Sequence, residues 1–344
     1  MGDLLILSNK SSGEDWATTL PLDSLTTFEK VERYGKAKAN NKVVVEYLAE
    51  LLDRDEFALG MVNPLIEKIY LRMDKCASWL TFREYTEHKK VTLRQANFCS
   101  KHLLCQACAI RRGAQILQSY MPKIEHVMQS EKLTPWLITF TVKNGECLGE
   151  RFKHLECSMK SILANRKNVL AGSYGYAPTE LSKVSGGVFA FEVPKSKDGE
   201  EWHPHLHMLA LCTTKPEVGH VDPKTGKGFG LRKEWFDITG DSFQVDVRRQ
   251  EGQEVINMAC EVMKYAVKFS QQEPADTWKA FQTLNRKRLL RSFGCLYGVQ
   301  VPDSMLDAPL SGPYIDRMFT YVGGGHYSAV SVCDMRDHYE AATS

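Results

Sequence analysis

The segment Trp202-His203-Pro204-His205-Leu206-His207-Met208-Leu209 leaves the chain few ways to fold. Its histidines recur at every second position. On a strand successive side chains point to opposite faces, so His203, His205 and His207 share one face. Residues His205 to Cys212 read as one strand and Gly186 to Val193 as another. The Asp198-Gly199 dipeptide between them is a strong hairpin-turn signal. A two-residue turn there sets Glu192 opposite His205, with Cβ atoms about 5 Å apart. Pro194 has no N–H to donate, so a bulge would shift this register. Neutral imidazole is the commonest metal ligand. Two imidazoles and a carboxylate make a partly open site suited to magnesium or manganese, with a substrate phosphate completing the shell. An imidazole row that merely packs explains one histidine better than three.

The surrounding pattern predicts an α+β fold: a central antiparallel sheet flanked by helices. Trp136 to Val142 is rich in β-branched and aromatic residues, and Phe243 to Val247 reads as a further strand. Phe152, Leu155, Met159, Ile162 and Leu163 mark an amphipathic helix. Residues 1–27 are polar and read as a mobile tail. Residues 28–75 form a helical N-terminal segment, with Val44, Val45, Tyr47, Leu48, Leu51 and Leu52 on one broad face. Residues 76–112 carry a cysteine module, followed by a helix expected to stop near Pro122. The catalytic domain spans 113–300. Residues 301–344 are Gly-rich and have no assigned role.

A helix is expected from Glu254 to Phe269. Glu261, Tyr265 and Lys268 fall on one stripe of it, beside an apolar stripe that can pack on a sheet. A phenol with a pKa of about 10 is a poor nucleophile at neutral pH. A nearby lysine favours the phenolate and offsets charge on a phosphate. A surface ion-pair row would look the same, so this stripe gains meaning only from the histidine strand. A basic helix is expected over Asp276 to Leu290. The run Asn285-Arg286-Lys287-Arg288-Leu289-Leu290-Arg291 suits either a solvated face or phosphate contacts.

Ten cysteines are many for a chain of 344 residues. Cys105-Gln-Ala-Cys108 is a zinc-knuckle pair, and Cys99 lies six residues before Cys105. The fourth ligand is Cys76 or His102. Four such ligands around zinc form a closed structural site that staples a loop-rich segment, and its basic flank offers Arg111 and Arg112 to DNA. The spacing suits a metal in a reducing compartment better than a disulfide framework. The net charge of +2 neither demands nor excludes nucleic acid. The N-terminal apolar run is four residues, too short for a signal peptide, and no stretch is long enough for a membrane span.

Together these residues resemble the rolling-circle plasmid replication initiators of the HUH endonuclease superfamily, over roughly residues 70–300. Asn97-Phe98-Cys99 through Arg112 is similar to that family's cysteine segment, where Cys76 matches an upstream cysteine and is favoured over His102. Leu137 to Asn144 is similar to the first motif. Trp202 to His207 is similar to the metal motif, with His205 and His207 as ligands and His203 a neighbour. Tyr265-Ala-Val-Lys268 is similar to the tyrosine motif, with Glu261 one turn before it.

The resemblance implies an HUH palm and nicking of plasmid DNA at the double-strand origin. It also implies a 5′ phosphotyrosine on the protein, a free 3′ hydroxyl, and host helicase and polymerase as partners in the bacterial cytoplasm. The competing readings are an HUH transposase or relaxase with the same chemistry, a histidine-metal hydrolase acting through water, and a zinc-stapled DNA-binding protein that is not an enzyme.

Overall fold

In the computed structural model, the described residues are 25–59, 63–196, 198–249, 255–264 and 272–330. Most of the expected N-terminal tail lies outside them, as do Tyr265 and Lys268. Among the described residues the fold is α+β, with two larger antiparallel sheets and seven α-helices.

The five-stranded sheet contains β3 (Thr134–Thr141), β4 (Val184–Glu192), β5 (His205–Cys212), β8 (Val245–Arg248) and β9 (Leu290–Gly294), in the order β8-β3-β5-β4-β9. The histidine strand β5 is central. It is buried from Leu206 to Cys212, as expected of a strand covered on both faces. Alternation sorts its neighbours. Phe140, Leu206 and Phe191 pair across one face, where α4 (Leu148–Leu170) and α5 (Gly230–Thr239) pack. Phe152 meets Phe191 at 5.4 Å and Trp235 meets Phe140 at 4.9 Å between ring centroids. Thr139, His207 and Ala190 pair across the other face, which α6 (Val255–Met263) covers. Behind α6 runs α3 (Gln106–Ser130). The two helices approach closely at Gly113, where an added Cβ would lie 3.1 Å from the Met263 carbonyl oxygen.

The second sheet joins parts of the chain that the sequence kept separate. It contains β1 (Trp79–Tyr85) and β2 (Lys90–Ala96) from the cysteine segment, with β10 (Tyr314–Gly323) and β11 (His326–Ala329) from the C-terminal segment, in the order β11-β10-β1-β2. A bidentate ion pair at 2.7 Å, Arg83 to Asp316, ties β1 to β10. The N-terminal segment is α1 (Thr27–Leu59) and α2 (Pro64–Asp74). Asn63 caps α2 by accepting from the Leu65 amide, and Pro64 suits the first helical position. Tyr34 on α1 packs against Phe82 of β1, and Phe28 against Phe319 of β10. A short ribbon, β6 (His220–Val221) with β7 (Gly228–Phe229), precedes α5.

Two expectations change. Helix α3 does not stop near Pro122 but runs through it to Ser130. An interior proline costs about 3 kcal/mol. Burial of Ile116, Leu117, Tyr120, Ile124 and Val127 along the same helix offsets this. The expected basic helix ends at Leu284, as α7 (Pro274–Leu284). Its remainder turns through Arg286, at φ 67°, into the edge strand β9. No described helix is long and apolar enough to cross a membrane.

Candidate metal and nucleic-acid site

The β4–β5 register places Glu192 opposite His205, with no bulge at Pro194. The hairpin closes further out: the His203 amide donates to the Pro194 carbonyl, and the Ser196 amide to the Glu201 carbonyl. The tip is a turn in which the Gly199 amide donates to the Ser196 carbonyl, with Gly199 at φ 78°. This replaces the bare two-residue turn expected at Asp198-Gly199, and the pairing of Glu192 with His205 is kept.

Glu192, His205 and His207 converge, their ligand atoms all within 4.8 Å of one another. The Glu192 side chain is 2% exposed; its Oε2 lies 3.1 Å from His205 Nε2 and 3.7 Å from His207 Nε2. The second nitrogen of each ring is already engaged. His205 Nδ1 lies 3.0 Å from the His203 carbonyl oxygen, an acceptor, so Nδ1 carries the proton and donates it. His207 Nδ1 is hydrogen-bonded to the Thr139 hydroxyl at 3.0 Å. With Nδ1 as a donor, His205 turns Nε2 toward the carboxylate oxygen, and a positive charge there, either a proton on Nε2 or a bound cation, makes the contact favourable. This donor set fits a divalent cation, with Thr139 and the His203 carbonyl orienting the rings.

His203 stands outside the group of three. Its ring is held by Asn144, with Nδ1 2.7 Å from Oδ1, and burial, then the charge of His205, holds it below the usual histidine range. Helix α6 brings Glu261 over the same face, with Oε1 4.0 Å from His207 Nε2 and Oε2 2.7 Å from Lys264 Nζ. The surface pairing expected of Glu261 and its proximity to the histidines thus coexist. Lys264 is the last described residue of this segment, and Tyr265 follows it in the sequence.

Thr139, Asn144 and Lys264 were not singled out as site residues from the sequence. Thr139 and Asn144 come from the first-motif segment and become visible only once β3 is paired with β5, which sets Thr139 opposite His207.

The cysteines form a second group. Cys76, Cys99, Cys105 and Cys108 are all buried, with sulfurs within 4.8 Å of one another. Cys76 lies 3.5 Å from Cys105 and 3.6 Å from Cys108, and Cys99 lies 3.5 Å from Cys108. His102 is not in the group; burial, then Arg112, pushes its imidazole down to about 4. Burial pushes the Cys108 thiol up. At Cys105 burial also opposes ionisation, but hydrogen bonds from the neighbouring thiols outweigh it and pull that sulfur down. Asn41 of α1 donates to the Cys105 sulfur at 3.0 Å and accepts from the Gln106 amide at 2.7 Å. Four converging sulfurs in a buried shell fit a structural zinc ion.

Of the flanking arginines, Arg111 does not face outward, whereas Arg112 is half-buried. Arg111 is buried, paired with Asp307 at 2.5 Å and donating to the Met305 carbonyl. Arg112 donates to the Pro302 carbonyl. Both tie α3 to the segment before β10, and for the buried Arg111 this accounts for its position without DNA.

The fold and these two clusters define an α+β protein with a buried carboxylate–imidazole centre and a four-cysteine staple. Comparison with known proteins agrees with the motif reading. The chain is 26% identical over 236 residues to protein rep of Bacillus amyloliquefaciens, covering 67% of this chain and 62% of that protein. It is 26% identical to protein rep of a Bacillus species, covering 61% and 64%, and 22% identical to protein rep of Staphylococcus aureus, covering 67% and 91%. The match spans less than two thirds of the length of the two Bacillus relatives. The chain is a relative of these Rep proteins, and the resemblance read from its motifs is borne out at that level. No family model matches the chain, and no solved structure does.

Proposed function

We propose that this chain is a plasmid replication initiator that nicks one strand at a double-strand origin and stays joined to the cut end through Tyr265. The observation that carries the proposal is the convergence of Glu192, His205 and His207 on the sheet face crossed by α6, the helix that leads into Tyr265. The kinship with Rep proteins supports the plasmid role, and the antiparallel sheet flanked by helices is compatible with an HUH palm.

In this reading the Tyr265 phenolate oxygen attacks the scissile phosphorus. The bond from phosphorus to the 3′ oxygen breaks as the tyrosyl–phosphorus bond forms. The departing 3′ oxygen takes up a proton and becomes the free hydroxyl that a host polymerase extends, with a host helicase opening the duplex. Glu192, His205 and His207 would hold magnesium or manganese, which when bound supplies positive charge to the phosphate's non-bridging oxygens. Lys268 favours the phenolate. Glu261 serves a later step. Once Tyr265 is occupied, the second cleavage needs another nucleophile, and the Glu261 carboxylate, four residues earlier in the sequence, can take the proton of an attacking water. Cys76, Cys99, Cys105 and Cys108 would hold a structural zinc. The setting is the cytoplasm of a bacterium.

The test is incubation with supercoiled plasmid carrying the cognate origin, with magnesium or manganese. Open circles bearing covalently bound protein are expected. Tyr265→Phe should abolish both while leaving origin binding near wild type. Cleavage without an adduct would point to a water-dependent hydrolase, and adduct formation by Tyr265→Phe would move the nucleophile elsewhere.

A further inference from the structure

By sequence the basic run after α7 suits either a solvated face or phosphate contact, and the fold divides it. Strand β9 pairs with β4 so that Ala190 faces Leu290, and the Phe191 amide donates to the Leu289 carbonyl. Continuing this antiparallel register two residues past the Ala190–Leu290 pair sets Arg288 opposite Glu192. Opposed residues share a face, with Cβ atoms roughly 5 Å apart.

The neighbours in the run confirm the alternation. Lys287 lies over the Phe152 ring at 5.3 Å, on the α4 side. Arg291 lies 5.1 Å from the Phe191 ring on that side and is paired with Glu156 of α4. Leu289 is buried. Arg288 is exposed, with its Nε donating to the Leu290 carbonyl at 3.3 Å. The turn that delivers it holds Arg286 in the left-handed region, where glycine or asparagine would be less strained. Among the described residues strand β9 is also the sheet's edge, with no strand paired on its outer side.

We infer that Arg288 is a phosphate-contacting residue: it grips the backbone of the single DNA strand beside the Glu192–His205–His207 centre, while Lys287 and Arg291 serve the packing of α4. This rests on the proposed nicking function. A guanidinium is always charged and presents a planar fork to phosphate oxygens. Placed beside a metal-binding carboxylate, it would meet the phosphates adjoining the scissile one.

The test measures binding and not cleavage. Full-length protein is titrated against a fluorescein-labelled single-stranded oligonucleotide, in EDTA, at several salt concentrations. Arg288→Ala should bind about tenfold more weakly, the value of one charge-assisted contact. Its slope of log affinity against log salt should fall by about 0.7, the share of one phosphate on a single strand. Lys287→Ala should stay within about twofold of wild type. Arg288→Lys should recover part of the salt slope. Melting curves for each variant confirm that the fold is kept. Equal losses in Arg288→Ala and Lys287→Ala, or no loss in either, would overturn the inference and leave the proposed function standing. A wild-type chain that binds no single-stranded DNA would take down both.

Discussion

Replacing Glu192 by glutamine keeps the shape of the side chain and removes its charge. The carboxylate is almost fully buried and its Oε2 lies 3.1 Å from His205 Nε2. A unit positive charge at that distance is worth roughly 5 kcal/mol at an effective dielectric of about 20. Burying the carboxylate costs several kcal/mol, so its net contribution to the metal-free fold is small. Glu192→Gln should therefore unfold in EDTA within about 1 kcal/mol of wild type. Its manganese affinity should fall about 100-fold or more, equivalent to about 2.7 kcal/mol, because one of the three proposed ligands loses its charge. Urea denaturation in EDTA gives the first quantity and isothermal titration with manganese the second. The added stability that manganese gives wild type should largely vanish in the variant, since a ligand stabilises only in proportion to its binding. Two results would refute the reasoning. Manganese binding within threefold of wild type would show that Glu192 is not a ligand. A loss of 3–5 kcal/mol in EDTA would show that the carboxylate serves a structural ion pair.

Cys105→Ser should lower stability and zinc content together, because folding free energy comes from the metal; elemental analysis of wild type should find about one zinc per chain, and a zinc-free wild type that tolerates chelators would remove the staple. Glu261→Ala should still nick and form the tyrosine adduct but terminate poorly, giving longer-than-unit circles in a replication assay. Normal termination would confine Glu261 to its pair with Lys264.

The histidine centre was legible because a strand's period of two is visible in a single segment. Histidines at alternate positions state the shared face of His205 and His207 outright, and the hairpin signal between the strands gives the register that sets Glu192 opposite His205, although the turn itself differs. The cysteine group was legible in three members. The fourth depended on chain return, since Cys76 and Cys99 are brought together by the β1–β2 hairpin between them. Other features were hidden because tertiary packing overrides local preference. Pro122 breaks the local helix rule, yet α3 buries an apolar face on both sides of it. No glycine or proline marks the break between α7 and β9; pairing with β4 decides it. The strands of the C-terminal segment find their partner only through β1, a contact between residues such as Arg83 and Asp316 that lie 233 positions apart.

That distant pairing sets an order of assembly. A ribosome delivers the chain from its N-terminus, and the five-stranded sheet is complete once Gly294 has emerged. At that moment β1 has only β2 beside it, because β10 begins at Tyr314. The histidine centre can close while the sheet beside the cysteines still shows an open edge, on a strand whose Leu80 and Phe82 are destined for the core. Such an edge invites pairing with another nascent chain. Strands β10 and β11 therefore protect strands made long before them, and this open edge persists after the five-stranded sheet has formed.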